Sequence, residues 1–209
     1  HVFCKLDYLQ RTGSFKERGA RNALLLLPES ARRTGVIAVS AGNHAQGVAY
    51  HGSLLGIPVT VVMPQFAPLI KVTNCRKLGA RVVLHGSDLA EARAHAALLA
   101  DREGLTFIHP FDNADVMAGQ GTMALEILEQ TPDVDAIVVP VGGGGLLAGI
   151  GTAVRALKPG VTLVGVEPEH AACLTAAIAA GKPVPVKVLP TLADGLAVAQ
   201  IGAAPLEVL

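Results

Sequence analysis

The sequence is poor in aromatic residues, which make up 3% of it, and it contains no tryptophan. A core of any size must therefore be built from Val, Leu, Ile and Ala, the usual material of parallel sheets covered by helices on both faces. Charge of either sign is also scarce in excess: 17 Lys and Arg balance 17 Asp and Glu. No net field draws the chain to nucleic acid or to anionic lipid. Its three cysteines, Cys4, Cys75 and Cys173, are odd in number and far apart, and match neither a zinc spacing nor a disulfide framework. Set among apolar residues, they read as reduced core thiols and point to the cytoplasm. No apolar run reaches the roughly 18–20 residues of a membrane span, and His1-Val2-Phe3-Cys4-Lys5 is neither a signal peptide nor a natural start. The chain opens in a strand-like segment, closes in an apolar stretch, Pro205 to Leu209, and reads as a piece of something longer, incomplete at both ends.

What the sequence does have is hydrophobic residues, at 51%, set in an alternating pattern. Short apolar runs at Val36–Val39, Val59–Met63, Arg81–Leu84, Ala136–Val139 and Val161–Val166 predict strands. Between them lie helix-length stretches, ending near Leu27, Leu55, Leu78, Arg102, Leu157 and Ala180. Strands alternating with helices predict an α/β fold of open, mainly parallel twisted sheets flanked by helices.

Four segments carry candidate chemistry. In Thr12-Gly13-Ser14-Phe15-Lys16-Glu17-Arg18-Gly19-Ala20, Ser14 followed by Glu17 reads as a capping box that starts a helix. Lys16 then sits in the first turn, where the helix dipole disfavours an ammonium and makes the amine a better nucleophile or base. An ordinary exposed lysine fits the segment equally well. Ser40-Ala41-Gly42-Asn43-His44-Ala45-Gln46-Gly47 follows a strand, at the end where open α/β sheets bind ligands. Read alone, it fits a capped turn better, with Asn43 as the cap and His44 solvated.

Gly142-Gly143-Gly144-Gly145 also follows a strand and opens a helix. Four glycines cost backbone entropy that a mere turn would not need, whereas bare amides at a helix N-terminus suit a phosphate. The spacing is neither a dinucleotide fingerprint nor a P-loop. Finally, Glu167-Pro168-Glu169-His170 could bind a divalent cation, although a polar helix start fits better; the reading is no metal site, with Glu167 a weak candidate.

Taken in order, Lys5 to Ala20, Ser40 to Gly47, Ala118-Gly119-Gln120-Gly121-Thr122, Val139 to Gly149 and Thr191-Leu192-Ala193-Asp194-Gly195 resemble one family. It is the fold-type II pyridoxal 5′-phosphate (PLP) enzymes, in the threonine/serine dehydratase and serine racemase branch, with a tryptophan synthase β-like fold. The resemblance implies that Lys16 carries the cofactor as a Schiff base, with Phe15 against its ring and Asn43 on its phenolic oxygen. Gly142, Gly143, Gly144, Gly145 and Leu146 would hold the phosphate, and Gly195 would border the ring. Ser40, Gly42, Asn43 and His44 would close on the substrate carboxylate. A large domain of residues 1–34 and 113–209 would carry an inserted small domain, 35–112, and a homo-oligomer is expected of the full-length protein.

The implied reaction is α,β-elimination: L-threonine or L-serine is deaminated to a 2-oxo acid and ammonia. Racemase, threonine synthase, β-replacement and a catalytically silent PLP-binding fragment are the alternatives. Two departures bear on the choice. Ala41 stands where racemases carry the serine of the opposite ring face. Cys173 stands where cation-binding members pair a second carboxylate with the Glu167 position. Relatives also continue past Leu209, into the part that supplies the partner of the pyridine nitrogen.

Overall fold

Val36-Ile37-Ala38-Val39 is a run of β-branched and small apolar residues between Gly35 and Ser40, and it forms the central strand of a parallel sheet. A computed structural model describes all residues, 1–209, and they divide into two compact units, His1–Pro110 and Phe111–Leu209.

The first unit contains α1 (Lys16–Leu26), α2 (Glu29–Thr34), β1 (Val36–Val39), α3 (Asn43–Leu55), β2 (Val59–Met63), α4 (Leu69–Lys77), β3 (Arg81–Leu84), α5 (Leu89–Glu103) and β4 (Thr106–Phe107). The four strands pair in parallel, in the order β3-β2-β1-β4, with Val36 opposite both Val59 and Thr106. Side chains alternate between faces along a strand. Ile37 and Val62 pack on one face with Ala92, Ala96 and Leu99 of α5. Val59, of the opposite parity, meets α3, where a Cβ on Gly52 would lie 2.2 Å from the Val59 Cγ2. Helices thus cover both faces, and the inner strands β1 and β2 are buried as the sequence predicts, whereas the edge strands β3 and β4 are partly exposed.

The second unit contains α6 (Ala114–Gln130), β5 (Ala136–Pro140), α7 (Gly145–Leu157), β6 (Thr162–Val166), α8 (Cys173–Ala180) and α9 (Ala203–Val208). β5 and β6 pair in parallel, from Ala136 opposite Thr162 to Pro140 opposite Val166. β5 buries alternate residues: Ile137 and Val139 are inside, whereas Val138 is 65% exposed. The strand pattern there departs from the doubly covered strands expected of a parallel sheet, since Val138, Val164 and Val166 are all exposed. α6 and α7 approach closely at small residues; a Cβ on Gly121 would lie 2.8 Å from the Gly149 carbonyl oxygen, and one on Gly149 2.2 Å from that of Met117. No helix is long and apolar enough to cross a membrane.

The elements match the alternation read from the sequence, with four additions, α2, α6, β4 and α9, and one loss: the strand-like opening segment forms no strand. α6 is the largest, a 17-residue helix whose centre carries Ala118-Gly119-Gln120-Gly121-Thr122. In the structure this motif is a helix-packing surface.

Candidate active site

α1 begins at Lys16, as expected, but not through a capping box. Phe15 holds the cap position with no side-chain bond, and the Ser14 hydroxyl accepts the Lys16 amide at 3.4 Å. The Glu17 carboxylate reaches back beyond Ser14 and accepts the Thr12 amide instead. The Lys16 amine turns inward, donates to the Pro110 carbonyl at 2.7 Å and lies 5.3 Å from the centre of the Phe15 ring. Burial lowers its pKa from 10.5 to about 8. The cause is removal of the ammonium from water, whereas the sequence argument drew the effect from the helix dipole. An exposed, ordinary lysine does not describe this side chain.

The segment after β1 folds against the same turn. Ser40 accepts the Gly42 amide at 3.0 Å, Gly42 caps α3 without a side-chain bond, and Asn43 is exposed as its first residue. The capped-turn alternative, with Asn43 as cap and His44 solvated, is therefore corrected. His44 is 2% exposed, and its Nε2 donates to the Ile108 carbonyl at 2.9 Å. Its Nδ1 is buried without a partner. Burial above all, with the nearby Lys16 and His109 charges, pushes its pKa down to about 3 against the Ile108 bond, so the imidazole is neutral. Gly47 allows the approach: a Cβ there would lie 3.2 Å from the Lys16 carbonyl carbon and oxygen.

Lys16 and His44 thus meet the carbonyls of Ile108 and Pro110, which follow β4. These two acceptors were not among the sequence candidates. A main-chain carbonyl has no side-chain signature, and only the two-residue strand Thr106–Phe107 marks where it goes.

In the second unit, β5 runs into the four glycines and α7. Gly144 is the helix cap at φ +89°, a left-handed conformation that favours glycine. The other positions are tight. A Cβ on Gly143 would lie 2.3 Å from the Phe111 ring, and one on Gly145 2.9 Å from the Phe111 main chain. Packing alone thus requires glycine here, which the sequence argument assigned to phosphate contact.

The hydrogen bonding of the turn is one-sided. Its carbonyls are engaged: Gly142 by the Cys173 thiol at 3.3 Å, Gly143 by the Gly202 amide at 3.1 Å, and Gly144 by the Ala148 amide at 2.9 Å. The amides of Gly143, Gly144, Gly145 and Leu146 have no protein acceptor. A cluster of free donors at a helix N-terminus is the donor set of an anion site.

Gly195 lies in a short 3-10 turn, Asp194–Leu196, and a Cβ there would meet nothing within 4 Å. The next residue, Leu196, borders Gly142, where a Cβ would come 3.4 Å from the Leu196 Cα. Glu167 is occupied elsewhere: its carboxylate accepts the Leu174 and Thr175 amides at 2.6 and 2.9 Å and the Thr175 hydroxyl at 2.8 Å. It fastens the start of α8.

Comparison with known proteins supplies what the geometry lacks. A family model described as pyridoxal-phosphate dependent enzyme matches residues 1–209. This chain belongs to that family. The L-threonine ammonia-lyase of Thermotoga maritima is 48% identical over 201 residues, covering 96% of this chain and 50% of the relative. The processed form of threonine deaminase isoform 2 from Solanum lycopersicum superposes with a TM-score of 0.93 at 43% identity, over 98% of this chain and 60% of that one. The serine racemase of Dictyostelium discoideum superposes at 0.91 and 36% identity, over 97% and 65%. The chain spans about half the length of the curated relatives it matches.

The cofactor named by the family can be tested against the residues present. Its aldehyde requires an amine with a substantial neutral fraction near pH 7–8, and Lys16, lowered to a pKa of about 8, offers one. Its phosphate requires several donors and no competing acceptors, as the amides of Gly143 to Leu146 provide. The residues fit the group.

Proposed function

We propose that the protein is a PLP-dependent ammonia-lyase that deaminates L-threonine or L-serine by α,β-elimination. The observation that carries the reading is the Lys16 amine: buried, held on the Pro110 carbonyl and lowered to a pKa of about 8. The relatives named for threonine ammonia-lyase and threonine deaminase support the substrate class.

In this reading Lys16 would hold the aldehyde carbon of the cofactor, Phe15 would pack against the ring and Asn43 would hydrogen-bond the phenolic oxygen. Gly142 to Gly145 and Leu146 hold the phosphate, and Gly195 borders the ring. Bound PLP withdraws electron density from the substrate Cα, which makes the Cα proton removable. Lys16 Nζ, as a free amine, would take that proton. Ser40, Gly42, Asn43 and His44 orient the substrate carboxylate. His44 is neutral and anchored through Nε2, so it can position without adding charge. The β-hydroxyl would depart as water, taking up one proton that balances the one Lys16 removes from Cα, and the released enamine would hydrolyse to a 2-oxo acid and ammonia. Ala41 has no acid or base to return a proton to the opposite face, which favours elimination over racemisation.

The same reading takes residues 1–34 and 113–209 as a large domain around an inserted small domain, 35–112, in a cytoplasmic homo-oligomer. Three free thiols support the cytoplasmic setting, although only Cys75 and Cys173 are core thiols as expected and Cys4 is exposed. The test is to supply the full-length protein with PLP and each L-amino acid, and to measure 2-oxo acid, ammonia and the D-enantiomer together. Oxo acid and ammonia in equal amounts, far above D-amino acid, support the reading; D-amino acid as the main product, or none of these, sinks it.

A further inference from the structure

Glu17 and His51 form a buried pair that the elimination chemistry does not use. Glu17 follows Lys16 in the first turn of α1, and His51 lies in α3. The side chains are 9% and 8% exposed, with Glu17 Oε2 3.4 Å from His51 Nε2. A carboxylate seldom stays buried unless it is paired. This one is held twice, because its other oxygen accepts the Thr12 amide. The carboxylate therefore joins three segments: the loop before Lys16, the turn that carries Lys16, and α3.

The face of α3 that receives this turn is written at helical spacing. His44, Gly47 and His51 stand at i, i+3 and i+7 and share one side of the helix. The charge of Lys16 bears on His44, the main chain of Lys16 and Glu17 crosses at Gly47, and the Glu17 side chain ends on His51. Thr12 Oγ1, His44 Nδ1 and His51 Nδ1 are all buried along this seam without a partner. Burial holds the His51 pKa low despite Glu17, and Arg21 lowers it further. The neutral imidazole then donates from Nε2 to the carboxylate.

We infer that Glu17 and His51 are positioning residues for Lys16: the pair clamps the Thr12 loop and the first turn of α1 onto α3, and so fixes where the Lys16 amine sits. The inference rests on Lys16 being the reactive amine of the proposed function. Its logic is mechanical. The amine reaches the Pro110 carbonyl at 2.7 Å only while the start of α1 stays seated. A loosened turn admits water, and the acidity that burial confers is lost. The pKa of Lys16 is thus a gauge of its position.

The experiment follows that gauge in the full-length protein purified without added cofactor. Lysines are labelled competitively with acetic anhydride as a function of pH, and the peptide containing Lys16 is read by mass spectrometry. The variants are Glu17→Ala, His51→Ala, His51→Gln and the double variant Glu17→Leu/His51→Leu. The Lys16 midpoint should rise by about one unit or more in the alanine variants as the amine regains water. It should stay near the wild-type value in His51→Gln, whose amide can donate to the same carboxylate. Apolar replacement of a buried pair commonly preserves stability, so the double leucine variant decides the matter if the alanine variants do not fold; its midpoint should also rise. A merely structural pair would lower the melting temperature and leave the Lys16 midpoint unmoved. That result, in a folded variant, overturns the inference. Failure of the proposed function shows separately, as no PLP absorbance on wild-type protein.

Discussion

The lysine region and the glycine turn acquire their chemistry in opposite ways. Lys16 owes its acidity to burial among residues distant in the chain: the Pro110 carbonyl is 94 residues away, and Gly47 of α3 closes over its main chain. The glycine turn owes its donors to local conformation. A strand end, a left-handed Gly144 and the start of α7 leave four amides free, while the turn's own carbonyls are taken. The first region is therefore sensitive to changes far from it, whereas the second is protected by its own backbone and exposed mainly to crowding.

The largest effect expected from breaking this comparison is on turnover. Lys16→Ala removes the only group proposed to take the Cα proton, and 2-oxo acid production should fall at least about 10³-fold. PLP should still bind through its phosphate, because no amide of the glycine turn is touched. Equilibrium binding of PLP to the variant checks this. Loss of phosphate-dependent binding along with turnover would show that the two regions are not separable.

Acid should act on the first region. His44 has a folded pKa of about 3 against an unfolded value of 6.5, so the unfolded chain binds the extra proton between these values. The sign follows: stability is fully present above pH 6.5 and is lost as the pH falls toward 3, by an amount on the order of a few kcal/mol. His44→Gln keeps a donor for the Ile108 carbonyl and removes the titration. Denaturant midpoints measured from pH 7 to pH 4 should fall less steeply in the variant than in the wild type.

The glycine turn should separate packing from ligand contact. Gly143→Ala places a Cβ 2.3 Å from the Phe111 ring, and should cost about 1–3 kcal/mol of stability by overpacking. Gly195→Ile meets nothing within 4 Å at its Cβ and should leave the melting temperature nearly unchanged. If Gly195 borders the ring, the same variant should weaken PLP binding by about tenfold, or about 1.4 kcal/mol. Unchanged affinity would remove Gly195 from the site.

Most of the fold was legible because hydrophobic runs and turn residues act locally. The strands Val36–Val39, Val59–Met63 and Arg81–Leu84 stand where their apolar runs place them. α6 was not legible as a helix, since its glycines and apolar residues give little polar periodicity; its Gly121 is explained only by Gly149 of α7. At the site, the glycine turn could be read as a strand-to-helix junction, but not the packing against Phe111 and Ile201 that demands its glycines as much as a phosphate would. The inward turn of Lys16 and the burial of His44 could not. Both depend on carbonyls after a two-residue strand, and Ile108 and Pro110 announce nothing in the sequence. Glu17 misled for a related reason: its spacing from Ser14 matched a capping box, but its carboxylate served Thr12 and faced His51.

The central claim, that Lys16 holds the cofactor, is tested most directly by covalent trapping. Full-length protein saturated with PLP is reduced with borohydride, digested and mapped for the pyridoxyl group. The account predicts the group on the peptide containing Lys16, at a stoichiometry near one per chain, and its absence from Lys16→Ala. A pyridoxyl group found mainly on Lys5, Lys71 or any other lysine, with Lys16 unmodified, would contradict it.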